Sequence, residues 1–140
     1  MSDLKIRAVL IGSLVDTLGT FILAGLFFAA LGSTTGAASA EELNRIYDGS
    51  VALQIATLSL GLVMTAAGAY VAARLATGAE RLHAFAVGVV STAMGFSVVF
   101  AAPETSPFWS QAASLILTIP AAFAGGEIRR ATAGRGRRPS

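Results

Sequence analysis

Four long apolar runs separated by short polar stretches set the pattern of the chain. The first, AVLIGSLVDTLGTFILAGLFFAALG over residues 8–32, carries one ionisable residue, Asp16. It is longer than the about 20 residues that cross the hydrocarbon of a bilayer, and it predicts a membrane-spanning helix. Small residues over 33–40 lead into EELNRIYDGS, where Asp48, Gly49 and Ser50 read as a turn and helix cap and Leu43 and Ile46 as interfacial. A second helix is predicted over 51–75, ended by Thr77, Gly78 and the charged pair Glu80 and Arg81. A third runs over 83–102 and stops at Pro103. Ser106 and Pro107 then form an N-cap and first-turn pair for a fourth over 108–126. After Glu127 the chain turns basic and Gly-containing, so residues 129–140 read as an unstructured tail.

All four runs are interrupted by Gly, Ala, Ser and Thr, which membrane helices use for close packing, and none has the polar outer face of a soluble bundle. The expected fold is all-α, an integral membrane four-helix bundle. Ala8, Gly12, Asp16 and Gly19 match Ala84, Gly88, Thr92 and Gly95 at an offset of 76, and residues 67–74 match 124–131 more weakly. Two readings follow, a pair of parallel helix-hairpin repeats about an axis along the membrane normal, or coincidence among residues common in such helices.

Composition agrees: 54% of the 140 residues are hydrophobic, 13% are charged, and the mean hydropathy is +0.70. Four spans leave no room for a soluble catalytic domain. The absence of cysteine excludes disulfides, thiolate nucleophiles and Cys-ligated metals. A pI near 9.7 would suit nucleic acid, but the basic residues flank the spans instead of forming a folded basic face, so no nucleic-acid partner is expected. With four spans, Lys5, Arg7, Arg74, Arg81, Arg129, Arg130, Arg135, Arg137 and Arg138 share one side, and only Arg45 lies opposite, with Glu41, Glu42, Asp48 and Glu104. Basic residues are retained in the cytoplasm, so a multi-pass plasma-membrane protein with both termini inside is expected. The first run is too long for a signal-peptide h-region and contains Asp16, so it is expected to be kept despite Ala38, Ser39 and Ala40 resembling a cleavage site.

The helical period puts Gly12, Asp16, Gly19 and Thr20 on one face of the first helix, and Gln54, Thr57, Gly61, Thr65, Gly68 and Ala72 on one face of the second. The third offers Ala84, Gly88, Ser91, Thr92 and Gly95, and the fourth Ser114, Thr118, Ala121 and Gly125. The spacing of seven between Gly12 and Gly19, and between Gly61 and Gly68, suits left-handed packing. At 1.5 Å per residue, Asp16 and Thr65 lie about 13 Å, and Thr92 and Thr118 about 16 Å, from the basic residues that flank their helices. These four form a candidate midplane polar layer. No basic residue shares that depth, so Asp16 is expected to be held neutral and to donate to a threonine hydroxyl. It reads either as a hydrogen-bonding tie between helices or as a proton, cation or substrate site. Pro120 frees a carbonyl near Ile116 and predicts a kink.

His83, the one histidine, cannot alone make a metal site, and it reads as interfacial, with pH sensing as the alternative. Tyr47, Tyr70, Phe108 and Trp109 read as interface anchors. Arg129, Arg130, Arg135, Arg137 and Arg138 are candidate contacts for anionic lipid, or serve only to orient the last helix. Nucleotide-binding, hydrolase and metalloprotease patterns are missing, so neither enzymatic chemistry nor a cofactor is expected.

The phrases RAVLIGSLVDTLGT, AGAYVAARLA and ERLHAFAVG together resemble a loose group of small uncharacterised bacterial four-transmembrane-helix proteins, over the first three helices. Such proteins often carry Gly-Gly-Tyr-x-Ala-x-Arg where this chain has Gly68, Ala69, Tyr70, Val71, Ala72, Ala73 and Arg74, so the second glycine is replaced. The resemblance implies membrane location and fold, not activity. The function expected is a structural, accessory or assembly role, with a membrane protein or a second copy of the chain as partner. The alternative is a minimal oligomeric transporter or channel that uses Asp16 and the midplane hydroxyls.

Overall fold

The computed structural model of the protein describes residues 4–76, 78–101 and 107–135. Thr77, Pro103, Glu104, Ser106, Arg137 and Arg138, to which the sequence assigns stops, caps or charges, lie outside the described residues. Among those described there are five helices and no strand: α1 (Ile6–Thr35), α2 (Ala40–Asp48), α3 (Val51–Leu75), α4 (Glu80–Ala101) and α5 (Phe108–Arg135). Four of them, α1, α3, α4 and α5, are long and apolar enough to cross a membrane. They pack as a bundle whose outward side chains are apolar, Phe100 at 82% and Phe108 at 84% exposed among them, a surface suited to lipid tails and not to water.

The turns follow local chemistry. Gly36 ends α1 in the left-handed conformation, φ 69°, returning its N–H to the Gly32 carbonyl at 3.0 Å. Ser39 and Glu42 make a capping box, with the Ser39 hydroxyl accepting from Glu42 N at 3.2 Å and the Glu42 carboxylate from Ala38 N at 2.9 Å. They start α2, a short helix where the sequence suggests a polar segment ending in a turn at Asp48, Gly49 and Ser50. Ser50 caps α3. Gly78, φ 95°, supplies the bend from α3 to α4. At the far end α5 continues to Arg135 instead of stopping at Gly126. The basic segment read as an unstructured tail is therefore helical through Arg129 and Arg130, and Glu127 ties it back by ion pairs to Arg81 at 2.5 Å and Arg130 at 3.2 Å.

The spans form a ring in which α1 packs on α3, α3 on α5, α5 on α4 and α4 on α1, with α3 also touching α4. A two-fold axis along the membrane normal would give the α3–α4 contact a counterpart between α5 and α1. Among the described residues there is none, so the packing does not follow the two-fold that the matched sequence segments suggest.

The bundle is unequal along its length. At the end that carries the start of α1, here called the base, the helices are in close contact. The buried residues of α1 lie between Ala8 and Asp16, those of α4 between His83 and Gly88, and those of α3, apart from Gln54, between Thr65 and Ala73. Gly12 and Gly68 meet backbone to backbone there: a Cβ on Gly12 would stand 2.6 Å from the Gly68 carbonyl oxygen. Gly125 leaves no room for one against Ala66. At the α2 end the spans separate, and among the described residues Gly25 and Gly61 have no neighbour within 4 Å of the Cβ position. Of the glycines spaced by seven, Gly12 and Gly68 pack two helices together, whereas Gly61 does not.

Candidate functional site

Asp16 stands where close packing stops. About ten residues from the start of α1, it lies roughly 15 Å along the helix, near the middle of a hydrocarbon layer of about 30 Å. Its side chain is 5% exposed. Oδ1 accepts from the Thr65 hydroxyl of α3 at 3.1 Å and from Thr20, one turn on in α1, at 3.5 Å, and Oδ2 accepts a short bond from the Ser91 hydroxyl of α4. Three helices thus converge on one carboxyl, which accepts from hydroxyls on both oxygens where the sequence suggests that it donates to a threonine.

Of the four residues read from the sequence as a midplane layer, the structure brings together Asp16 and Thr65. Thr118 is buried beside the same space, but its hydroxyl donates back to Ser114 O at 2.7 Å. Thr92 donates back to Gly88 O at 2.8 Å. Ser91 takes the place expected of Thr92. The two are neighbours about 100° apart on the helix, and the phase of α4 against α1 decides between them.

Above Asp16 a cavity of about 410 Å³ runs toward the α2 end. Asp16, Thr20, Thr65 and Ser91 lie at its floor, and Tyr47, Gln54, Ser110 and Gln111 line it toward α2. Phe21, Leu58, Leu62, Met94, Val98 and Leu115 supply much of its wall. From Thr65 to Gln54 is eleven residues of α3, about 16 Å of depth. Among the described residues Asp16 is the one charged residue lining it.

The mouth is held by α2. Tyr47 is buried against Phe28, ring centroids 5.2 Å apart, and its hydroxyl meets Thr57 Oγ1 at 2.8 Å. It is a wall residue here, not the interface anchor the sequence suggests, whereas Phe108 and Trp109 do stand on the outer surface. Gln54, 2% exposed, donates through Nε2 to the backbone carbonyls of Tyr47 at 3.3 Å and Asp48 at 3.0 Å, and its Oε1 has no partner among the described residues.

His83 is likewise displaced from its expected surface position. It is 0% exposed at the base, where Nδ1 faces the Ala79 carbonyl at 2.8 Å and so carries the hydrogen, while Nε2 accepts the Lys5 N–H at 2.8 Å. It fastens the start of α1 to α4. Among the described residues no three His, Cys, Asp or Glu side chains are grouped to hold a metal.

The chain matches no protein-family model, no curated protein and no solved structure.

Proposed function

We propose that the protein is a minimal carrier of the plasma membrane, termini cytoplasmic, that takes a small cationic solute onto Asp16 from the non-cytoplasmic side, with anionic lipid at its basic cytoplasmic rim. The observation behind this reading is the cavity, which descends to a single carboxyl at mid-depth and ends there against a closed base. An acid placed so deep is costly, and such residues commonly mark solute or ion pathways. The cavity volume lies within the 300 to 1,000 Å³ range usual for small-ligand sites. A continuous channel would need an opening through the Gly12–Gly68 seam, so release inward requires the base to part, as in a carrier. Four helices leave little interior to rearrange, which favours an assembly of two or more copies. Lys5, Arg7, Arg74, Arg81, Arg129 and Arg130 fall at or beyond the base ends of their helices, and among the described residues only Arg45 lies at the α2 end, which supports the orientation.

A second reading, an accessory protein in which Asp16 only ties helices together, draws on the hydroxyl partners that α1, α3 and α4 give its two oxygens. Proteoliposome flux separates the two. Wild-type protein should carry methylammonium faster than protein-free vesicles, and a folded Asp16→Asn protein should lose at least nine-tenths of that rate. Equal flux in the two proteins, or none in either, favours the tie.

A further inference from the structure

The walls of the cavity and one amide at its mouth narrow the solute. We infer that it is an elongated organic monocation, its ammonium group on Asp16 and a hydrogen-bond donor at its far end on Gln54 Oε1. The inference rests on the proposed cation-binding role of the cavity.

Charge comes first. Among the described residues Asp16 is the one charged lining residue, so an anion would meet repulsion there, and a dication would bury a second charge without a partner among them. Metal ions fit poorly: calcium takes six to eight oxygen ligands and magnesium keeps a strict octahedron of about six, whereas the floor offers one carboxylate with three hydroxyls already donating to it. Those hydroxyl oxygens still have lone pairs for an ammonium group, which needs only about three acceptors. Above the floor, Phe21, Leu62, Met94, Val98 and Leu115 would strip water from a hydrated ion and return nothing, but they would cover a hydrocarbon chain.

Length and the second contact come from Gln54. Its Nε2 is committed to the Tyr47 and Asp48 carbonyls, which fixes the amide's orientation and leaves Oε1, among the described residues, as an unpartnered acceptor in a side chain that lines the cavity. A buried acceptor left alone is costly, and native structures rarely keep one without a use. The floor lies about 16 Å below it along α3. Subtracting a hydrogen bond of about 3 Å at each end leaves roughly 10 Å between the cationic nitrogen and the distal donor.

The test is calorimetric titration of the full chain in lipid nanodiscs with 8-amino-1-octanol, octylamine, 1,8-octanediol and 1,8-diaminooctane, each corrected with protein-free discs. The amino alcohol should bind tightest. Octylamine, which lacks the distal donor, should bind about five-fold more weakly, the worth of one neutral hydrogen bond. The diol, which lacks the cation, should bind at least ten-fold more weakly, and the diamine should not exceed octylamine. In Gln54→Met the gap between amino alcohol and octylamine should close, and in Asp16→Asn the gap between amino alcohol and diol should close. Because the ligand series is read on the wild-type protein, the conclusion survives a variant that fails to fold. Equal binding of amino alcohol and octylamine overturns the Gln54 contact and the stated length. If none of the amines binds while wild-type vesicles carry rubidium dependent on Asp16, the organic class is wrong and the carrier reading stands. If none binds and no cation is carried, the carrier reading itself fails.

Discussion

An alanine at Gly12 should unlock the base of the bundle, whereas one at Gly61 should strengthen it. A Cβ on Gly12 would lie 2.6 Å from the Gly68 carbonyl oxygen and 2.7 Å from the Ala72 Cβ, and both neighbours belong to the rigid wall of α3. Atoms at ease stand about 3.5 Å or more apart, so α1 and α3 must separate by roughly 1 Å. Overpacking of this kind costs about 1–3 kcal/mol, and the better helix propensity of alanine returns up to about 1, for a net loss near 1–2 kcal/mol. The same separation stretches the Thr65–Asp16 bond from 3.1 Å to near 4 Å, beyond hydrogen-bonding reach. At Gly61 nothing stands within 4 Å of the new methyl, so only the propensity gain of up to about 1 kcal/mol remains. Reversible unfolding in mixed micelles, followed by helical circular dichroism at increasing SDS fraction, reads both signs in one experiment. A Gly12→Ala protein as resistant as wild type, or a Gly61→Ala protein as weakened as Gly12→Ala, would refute the unequal packing on which the cavity depends.

Other substitutions probe separate joints. Asp16→Leu should destabilise the bundle by about 1–3 kcal/mol in the same assay, since interhelical hydrogen bonds in membranes are worth about 0.6 to 1.7 each, while Asp16→Asn, which keeps an acceptor and adds a donor, should lose less than half as much. His83→Leu orphans the Lys5 N–H and should cost roughly 1–3 kcal/mol. It should also expose the first turn of α1 to protease, and unchanged cleavage would dismiss the fastening role. Replacing Arg135, Arg137 and Arg138 by glutamine should weaken retention of anionic lipid by about 1 kcal/mol per residue, without loss of helicity in α1, α3 and α4. Native mass spectrometry with mixed lipids measures it.

The fold was legible because the bilayer imposes it. Runs as long and apolar as those around Asp16 and Gln54 have one stable form in lipid, and the span 51–75 read from the sequence coincides with α3. Polar linkers lack that constraint. The α2 helix escaped notice although Ser39 and Glu42 stand at capping-box spacing, a local signal of moderate strength beside the hydropathy pattern. The α5 helix outran its hydropathy for the opposite reason: Glu127, Arg129 and Arg130 are good helix formers beyond the apolar stretch, and Arg81 on the neighbouring helix holds Glu127. At the site, the face of each helix could be read but not the axial phase of one helix against another. That phase makes Ser91 the partner of Asp16 and turns Thr92 back on its own backbone. Gln54 carried the missed signal, since an amide within a span is rare enough to suggest a site. Its stripe was visible in the sequence, but the commitment of its nitrogen to Tyr47 and Asp48 was not, because that depends on how α2 folds over the top of α3.

The most direct test of the central claim, a cavity entered from one face and ending at Asp16, is the sidedness of thiol labelling. The chain has no cysteine, so single replacements can be read without background. Gly61→Cys places a thiol on the cavity wall where there is room for it, and Ala84→Cys places one in the closed base. In intact cells a membrane-impermeant maleimide should modify Gly61→Cys from outside and leave Ala84→Cys untouched. In inside-out vesicles without solute the same reagent should modify Gly61→Cys much more slowly than in intact cells, because the base parts only to release solute. Modification of Gly61→Cys as fast from the cytoplasmic face as from outside, or its full protection from outside, would contradict the account.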